Sequence, residues 1–370
     1  MARPESAETV GLVMIVRNEV ATLPRLASSL AGRIDHWTIV DTGSNDGTPQ
    51  LAEELFSDVV GEVILDEWRG FGPSRNVALE AAEPHTDWLL TLDADETIHG
   101  DITVNGIAWE IDAVELEQRY RNLRYWLPRL IRSGRGWRWQ RRTHEYLSLG
   151  NRPARTAKSS AAWVHHHADG GSRSDKFERD ISLLSQDWQD SPDDPRTAFY
   201  LARSFDDLGR YVEATDWYRK RLTLGGWDEE VFYSRWRLGS CLRALASPAE
   251  ACAMFWTAWA ERPWRAEPLV SLAEQYRSEH AWGPAWRACQ LAFDFAGALP
   301  DGKLTQAVND RLFVHSDATR WQVAFEASIA AWYVGETQRG RRLTSYLLSL
   351  DDLPLEIRHT VEANRSFYSL

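Results

Sequence analysis

The stretch Trp88-Leu89-Leu90-Thr91-Leu92-Asp93-Ala94-Asp95-Glu96 decides the fold of the first half of the chain. A short apolar run, of the kind that forms a buried strand, leads directly into two aspartates separated by one alanine. Two carboxylates at a strand end can face one cation, and oxygen ligands of this kind suit Mg²⁺ or Mn²⁺. For an isolated Asp-Ala-Asp triplet the alternative is a helix cap or a solvated turn.

Apolar runs and helical patterns alternate upstream of this stretch. Runs at residues 11–16, 37–40 and 59–65 predict strands, and the segments between them predict helices at residues 23–30, 49–55 and 73–82. This alternation predicts a parallel sheet with helices on both faces. Ligands bind such sheets beyond the carboxyl ends of the strands, where Asn18, Asp41, Asp93 and Asp95 all fall.

The second half of the chain is a helical repeat array. Gly239, Ala251, Phe255, Ala258 and Pro263 follow the small-residue and aromatic spacing of a tetratricopeptide repeat. Similar sets begin near residues 202 and 273, and a degenerate helix pair over 321–350 is expected to cap the array. Between the halves, residues 111–116 and 125–131 predict strands, while 137–149 is open between strand and loop. The predicted domains are residues 1–170, an α/β domain, and residues 171–370, an all-α tetratricopeptide-like helical repeat domain.

The bulk properties exclude several classes of protein. The chain has 370 residues, 44% of them hydrophobic and 26% charged, which indicates a folded protein of two domains. No apolar run approaches the roughly 18 residues that span a bilayer, and no signal peptide is visible, so we expect a cytoplasmic protein. The net charge of −12 argues against a generally basic nucleic-acid coat.

A basic segment interrupts this acidic chain. Residues 119–142 hold nine arginines and no acidic residue, with tyrosines and tryptophans interleaved. One interpretation is a groove for a polyanionic acceptor, such as DNA with a hydroxylated base or a phosphorylated lipid or glycan. The other is a solvated basic face that pairs with acidic residues of the repeat domain.

Four motifs in order resemble a known family. They are Leu12-Val13-Met14-Ile15-Val16-Arg17-Asn18-Glu19, Val40-Asp41-Thr42-Gly43-Ser44-Asn45-Asp46-Gly47-Thr48, Pro73-Ser74-Arg75-Asn76 and Leu92-Asp93-Ala94-Asp95-Glu96. The set resembles the inverting GT-A glycosyltransferases of family two, in particular the branch that carries tetratricopeptide repeats behind the catalytic domain. Residues 128–132 and Thr143-His144-Glu145 resemble that branch's arginine strand and His-Glu element.

The resemblance implies a metal-dependent, inverting transfer from a nucleotide-diphosphate sugar, with a UDP-sugar as the default donor. Asp41 would bind the nucleobase or ribose. The backbone near Val16, with Asn18 and Glu19, would line the nucleoside pocket. Arg75 would reach the nucleotide. Asp93 would face ribose or metal, Asp95 would hold Mn²⁺ or Mg²⁺, and His144 would be a further metal or diphosphate contact.

Inversion needs a base that deprotonates the acceptor hydroxyl. Glu145 is the first candidate, because it adjoins the element expected to close over the donor, and Glu96 is the second. The chain departs from the family before His144, where Gln140-Arg141-Arg142 stands in place of the usual glycine. The run His165-His166-His167 makes a poor shared metal site, because neighbours in a strand point to opposite faces. One of the three could still lie near the nucleotide.

Two further hypotheses concern partners. The α/β domain could be a non-catalytic, nucleotide-binding scaffold that recruits a protein through its repeats. The helical array could also hold a peptide acceptor or form a homodimer.

Overall fold

The computed structural model describes residues 7–120, 123–170, 176–297 and 313–368. The chain divides into two compact units, one ending at Asp187 and the other beginning at Trp188. The predicted boundary at residues 170/171 adjoins residues 171–175, which lie outside the described residues. Helix α4 spans Lys176–Asp190.

The N-terminal unit is built on one large sheet. Its strands are β1 (Val10–Val16), β2 (His36–Asp41), β3 (Gly61–Leu65), β4 (Trp88–Thr91), β5 (Glu96–Gly100), β6 (Ala113–Tyr120), β7 (Leu123–Arg132) and β10 (Thr156–His166), in the order β3-β2-β1-β4-β7-β6-β10-β5. A separate two-stranded sheet pairs β8 (Arg138–Gln140) with β9 (Tyr146–Ser148). Residues 137–149 are therefore a short hairpin, which the sequence left open between strand and loop.

The predicted parallel sheet is confirmed for the four strands from which it was predicted, but the complete sheet is mixed. β1 to β4 are parallel, but β7 runs antiparallel to β4 and β6, and β10 runs antiparallel to β5. Parallel neighbours need a crossover of a dozen or more residues, usually a helix. Only residues 121–122 separate β6 from β7, so these two strands form an antiparallel pair and the sheet is mixed.

Helices cover both faces of the parallel half, as expected. They are α1 (Leu23–Leu30), α2 (Thr48–Leu55) and α3 (Phe71–Ala82). Alternate residues of β1 separate into two cores, because successive side chains of a strand point to opposite faces. Leu12 and Met14 share a core with Leu26 of α1, whereas Val13 shares one with Leu79 of α3. The carboxyl ends of β1, β2 and β4 thus come together at one edge.

The loop between β8 and β9 packs against the start of α3. Phe71 N–H donates to the carbonyl oxygen of Arg142, and a β-carbon on Gly72 would lie 2.0 Å from the carbonyl oxygen of Arg141. Arg141 has φ 75° and His144 has φ 50°, the left-handed region that favours glycine. The backbone geometry usual for a glycine is thus present here, but arginine adopts it.

The C-terminal unit is an array of helical hairpins. Its helices are α5 (Pro195–Asp207), α6 (Tyr211–Leu224), α7 (Asp228–Ala244), α8 (Pro248–Glu261), α9 (Glu267–Ser278), α10 (Trp282–Phe295), α11 (Val323–Tyr333), α12 (Thr337–Leu348) and α13 (Leu355–Asn364). They pack in successive pairs from α5/α6 to α11/α12. A β-carbon on Gly239 of α7 would lie 2.6 Å from the Phe255 ring of α8, so the glycine lets the aromatic side chain enter between the helices. The predicted repeats and the capping pair over 321–350 are confirmed.

None of the helices in the described parts of the chain is both long and apolar enough to cross a bilayer.

Candidate active site at the end of strand β4

The Asp-Ala-Asp turn is fixed by Glu96. The backbone N–H of Asp93 donates to Glu96 Oε2 at 2.9 Å, and the N–H of Glu96 donates to the carbonyl oxygen of Asp93 at 3.0 Å. Arg129 Nη2, on β7, donates to Glu96 Oε1 at 2.5 Å. Burial raises the pKa of Glu96, and the Arg129 guanidinium opposes that rise. With only 3% of its side chain exposed, Glu96 positions the turn and offers little access to an acceptor.

Arg75 joins the turn to Glu145. From α3, its Nη2 donates to Asp93 Oδ1 at 2.6 Å and its Nε donates to Glu145 Oε1 at 3.0 Å. The guanidinium also lies 5.1 Å from the centre of the Trp139 ring and is 12% exposed. Burial alone would lower the pKa of Arg75, but Asp93 and Glu145 raise it further than burial lowers it. Arg75 is thus committed to two carboxylates, where the sequence predicted a direct contact with nucleotide.

Asp93 keeps one oxygen for a ligand. Burial would raise its pKa, but Arg75 and Arg129 outweigh that effect and the pKa is lowered, so the group is a carboxylate. Its Oδ2 accepts no hydrogen bond from the described residues, and 37% of the side chain is exposed. The group therefore has both the charge and the access that a cation or a ribose hydroxyl needs.

Asp95 is more enclosed than Asp93, and its negative charge is balanced by fewer nearby groups. Its side chain is 13% exposed, and Oδ2 accepts one long hydrogen bond, 3.3 Å, from the N–H of Gly170. The nearest ring nitrogen is Nδ1 of His166, 3.6 Å from Oδ1. A β-carbon on Gly170 would lie 3.2 Å from an oxygen of both Asp95 and Glu19, so these two carboxylates flank the same glycine.

The three histidines divide between two faces, as the strand pattern predicted. His166 lies beside Asp95 and Glu96, with its Nδ1 3.8 Å from Glu96 Oε1. The rings of His165 and His167 lie 4.4 Å apart, tilted by 58°, on the other side of β10, where His167 Nε2 lies 3.0 Å from Thr97 Oγ1. His166 is the member that reaches the site. The sequence could not single it out, because the register of β10 against β5 decides which face each histidine takes.

A cavity of about 690 Å³ opens beyond the ends of β2 and β3. It is lined by Asp41, by the loop that follows β2, and by Leu65 and Asp66. Asp41 is buried, and its Oδ1 accepts hydrogen bonds from the N–H groups of Gly43 and Ser44 at 2.9 and 2.8 Å. Its Oδ2 is buried and accepts no hydrogen bond from the described residues. A buried acceptor without a donor is costly, which makes it a natural contact for a bound N–H or O–H group.

The site residues predicted at the end of β1 form hydrogen bonds with the loop after β2, which lines this cavity. The carbonyl oxygen of Val16 accepts from both the N–H and the hydroxyl of Thr42. Asn18, at φ 57°, donates its N–H to Ser44 Oγ and accepts from the N–H of Asn45. The N–H of Glu19 donates to Thr48 Oγ1. These contacts hold the loop after β2 against the end of β1, which is a positioning role.

His144 faces α4. Its Nε2 lies 3.8 Å from Asp180 Oδ2, and Thr143 Oγ1 donates to Asp180 Oδ1 at 3.1 Å. These contacts place His144 against α4, and its predicted contact with metal or diphosphate stays a prediction. Across the described ranges, no group of three or more His, Cys, Asp or Glu side chains is arranged to hold a metal ion. Asp93 and Asp95 would therefore need ligands from substrate or water to complete a metal site.

The arginine-rich segment is paired within its own unit. Arg121 lies outside the described residues. Seven of the others have these acidic partners within 4 Å: Arg119–Glu117, Arg124–Glu117, Arg129–Glu96, Arg132–Glu8, Arg135–Asp112, Arg138–Glu80 and Arg142–Asp187. Arg141 lies over the Tyr146 ring. Pairing is thus favoured over a free groove, but the partners belong to the N-terminal unit, not to the repeat domain.

Comparison with known proteins agrees with this geometry. Residues 12–113, from β1 to the start of β6, match the model of glycosyl transferase family 2. The matched segment lies wholly within the N-terminal unit. The matched segment includes Asp41, Arg75, Asp93 and Asp95, whereas Glu145 lies beyond it.

Curated relatives match over short stretches. A TPR repeat-containing protein of Synechococcus elongatus is 40% identical over 89 residues, which cover 24% of this chain and 21% of the relative. An uncharacterized glycosyltransferase of Rickettsia felis is 30% identical over 95 residues, 26% of this chain and 31% of the relative. The matches thus span about a fifth to a third of the length of these relatives.

Among solved structures, MamA is 14% identical with a TM-score of 0.35, over 52% of this chain and 92% of that one. YrrB, described as a TPR protein with an unusual peptide-binding site, is 13% identical with a TM-score of 0.37, over 51% and 84%.

Proposed function

We propose that the N-terminal unit is an inverting glycosyltransferase that moves a sugar from a nucleotide diphosphate to an acceptor hydroxyl. The observation that carries the proposal is the chain Asp93–Arg75–Glu145. One guanidinium ties a carboxylate of the Asp-Ala-Asp turn to a second carboxylate. At the same edge of the sheet, Asp41 lines a cavity and has a buried oxygen that accepts no hydrogen bond from the described residues. Together these groups would supply a donor site and a base within the N-terminal unit.

The donor nucleoside is assigned to the cavity at the ends of β2 and β3. A base N–H or a ribose hydroxyl would donate to Asp41 Oδ2, which satisfies the buried oxygen on binding. A UDP-sugar is the default donor through the family resemblance. The rim of the cavity carries Asp66 and Glu67, so diphosphate binding near this edge needs added positive charge.

The carboxylates at the turn fit a divalent cation. Asp95 is nearly enclosed, yet it has one long hydrogen bond and a histidine at 3.6 Å, whereas Asp93 and Glu96 each have an arginine within 2.6 Å. Mg²⁺ is commonly held by one or two carboxylates together with substrate phosphates and water. Asp95 and the Oδ2 atom of Asp93 would hold Mn²⁺ or Mg²⁺. When bound, the ion would neutralise charge on the departing diphosphate.

Glu145 is our candidate for the base. Oε1 is held by Arg75, and Oε2 accepts no hydrogen bond from the described residues. Oε2 would take the proton of the acceptor hydroxyl. At the same time the hydroxyl oxygen would bond to the sugar carbon, and the bond between that carbon and the diphosphate would break. Glu96 is disfavoured because both of its oxygens are already committed. Glu145→Gln should lower kcat with little change in donor binding, whereas Glu96→Gln should lower the melting temperature.

The acceptor is a separate question. A polyanion such as DNA or a phosphorylated lipid or glycan would have to displace the acidic partners of the arginine segment, which argues against it. If it does bind there, its affinity should fall steeply with salt. A peptide acceptor and a homodimer through the helical unit stay predictions.

The deciding experiment is donor turnover with and without Mn²⁺. We expect Asp95→Ala to abolish Mn²⁺-dependent hydrolysis or transfer of a sugar nucleotide, while Asp101→Ala, at an exposed acid beyond β5, leaves it intact. A thermal-shift screen of sugar nucleotides with Mn²⁺ tests binding alone. If no donor stabilises the protein and turnover is absent, the non-catalytic scaffold is the better description.

A further inference from the structure

The hairpin that carries Glu145 is held from two sides. Residues 141–145 join β8 to β9, and we call them the hairpin tip. On one side lies α3, which belongs to the segment that the family model matches. On the other side lies α4, which follows that segment in the chain. The two helices contact different parts of the hairpin, and both sets of contacts bear on the position of Glu145.

Helix α3 holds the strand before the tip and the carboxylate of Glu145. Asn76 Nδ2 donates to the carbonyl oxygen of Trp139 at 2.9 Å, and Asn76 Oδ1 accepts from the N–H of Trp139 at 2.8 Å. Arg75 Nε donates to Glu145 Oε1 at 3.0 Å. These contacts fix β8 and one oxygen of Glu145, and the main chain of the tip lies between them.

Helix α4 holds the main chain of the tip through Asp187. The N–H of Arg142 donates to Asp187 Oδ2 at 3.0 Å, and Arg142 Nη1 donates to Asp187 Oδ1 at 2.7 Å. The carbonyl oxygen of Arg142 accepts from the N–H of Phe71 at 2.6 Å. The main-chain N–H and carbonyl groups of Arg142 are thus bound by different helices. Because hydrogen bonds to a carboxylate are stronger than neutral ones, Asp187 contributes a large share of this restraint.

A second carboxylate of α4 lies against the two residues that precede Glu145. Thr143 Oγ1 donates to Asp180 Oδ1 at 3.1 Å, and His144 Nε2 lies 3.8 Å from Asp180 Oδ2. Asp180 and Thr143 are buried, so water has little access to this contact. Asp180 and Asp187 are about two helical turns apart, so both carboxylates face the tip from the same side of α4.

The position of Glu145 depends on this restraint. A base acts only within hydrogen-bond reach of the hydroxyl that it deprotonates, and a displacement of about 1 Å can cost about 100-fold in rate. The residue before Glu145 is His144, whose φ of 50° is seldom adopted by a residue with a side chain. Contacts around the tip must therefore hold this conformation, and α4 supplies those on Thr143 and His144.

We propose that Asp180 and Asp187 are positioning residues, which hold the hairpin tip so that Glu145 Oε2 meets the acceptor hydroxyl. The inference rests on the proposed function, in which Glu145 is the base. Neither aspartate touches donor or acceptor in this scheme, and each acts through the tip. The matched family segment ends at residue 113, so the support for the base comes partly from residues that follow it.

The test measures donor turnover with Mn²⁺ in variants of the full chain. Asp187→Ala should lower kcat by about tenfold or more, because Glu145 is displaced. The KM for the donor should stay within about twofold, because the tip lies outside the donor site. Asp187→Asn keeps an oxygen that can accept from the N–H of Arg142 and should recover most of kcat. Glu178→Ala, at an exposed acid of α4, is the matched control and should behave as the parent does.

The same change in the background of Glu145→Gln separates positioning from a general loss of activity. If Asp187 acts through Glu145, Asp187→Ala should lower the residual turnover no further once the base is absent. An equal loss in both backgrounds overturns the proposal, as does a raised donor KM with unchanged kcat. Thr143→Val removes only the hydroxyl bound to Asp180 and should lower kcat by about threefold. It takes the place of Asp187→Ala in both backgrounds if that variant does not fold.

Hydrogen exchange of the full chain, followed by mass spectrometry, tests the restraint without turnover. The amide of Arg142 should exchange faster in Asp187→Ala than in the parent or in Glu178→Ala, because it loses its acceptor. Unchanged exchange shows that α4 does not restrain the tip and overturns the proposal. Faster exchange in a protein whose parent turns over no donor overturns the proposed function instead, and leaves the two aspartates as contacts of the fold.

Discussion

Two buried arginines, Arg75 in the N-terminal unit and Arg265 in the C-terminal unit, hold carboxylates in different ways. Arg265 is joined to Glu267 at 2.7 Å, and both side chains are almost fully enclosed. Arg75 meets two carboxylates, Asp93 and Glu145, and Asp93 is 37% exposed. An enclosed pair serves the fold, whereas a partly exposed group with an uncommitted carboxylate oxygen is prepared for a cation or a substrate.

The largest effect on stability is expected at Arg265. Arg265→Ala leaves Glu267 buried without its cation and should lower the free energy of unfolding by about 3–5 kcal/mol. Chemical denaturation of the full chain measures this. The double variant Arg265→Met/Glu267→Leu removes both charges and should recover most of the loss. A double variant as unstable as the single one would contradict the role of a closed pair.

Arg75→Met should lower the free energy of unfolding by less, about 2–4 kcal/mol. Asp93 is partly exposed, so water can solvate its carboxylate when the guanidinium is lost. The two carboxylates then face each other without a cation, so Mn²⁺ should raise the melting temperature of this variant more than that of the parent. Differential scanning fluorimetry with and without Mn²⁺ gives the comparison. An equal Mn²⁺ shift in both proteins would mean that Arg75 and the ion do not compensate the same charge.

The contact between α3 and the β8–β9 loop offers a smaller effect. Gly72→Ala would bring a β-carbon within 2.0 Å of the carbonyl oxygen of Arg141, and should cost about 1–3 kcal/mol as overpacking. Gly283→Ala is the matched control, since nothing lies within 4 Å of its β-carbon inside α10. It should be neutral or slightly stabilising. Turnover should fall with Gly72→Ala only, because the loop carries Glu145.

The smallest difference concerns the strained arginine. Arg141 has φ 75°, so Arg141→Gly relieves backbone strain, whereas Arg142→Gly loses the 2.7 Å ion pair with Asp187. We expect Arg141→Gly to be the more stable of the two by about 1 kcal/mol in urea denaturation. The reverse order would show that side-chain contacts of Arg141 outweigh the backbone cost.

Local patterns predicted much of this molecule. The first four strands, the three helices between them and the repeat array all follow from periodicity and from the spacing around Gly239 and Phe255, because those signals are set by near neighbours. Asp41 and Asp93 were predicted as site residues because strand ends mark ligand sites in α/β sheets. The family match over residues 12–113 covers the same motifs.

Long-range pairing limited the rest. Arg75 was expected at the nucleotide, but the fold brings Glu145, 70 residues later, to the same guanidinium. The arginines of residues 119–142 looked like one basic surface, since their acidic partners lie in other strands and helices. The sequence could not distinguish His166 from His165 and His167, because only the pairing of β10 with β5 decides which face each side chain takes.

The pairing of β10 carries an irregularity between Ser159 and Trp163, where four residues advance against one residue of β6. A one-codon deletion inside this irregular stretch could be absorbed without changing the strand that follows. The same deletion just after Trp163 would turn every later side chain to the opposite face and bring His167 to the position of His166. In both cases a histidine ring would lie beside Asp95. The run of three histidines therefore keeps a histidine at this position when one codon is deleted.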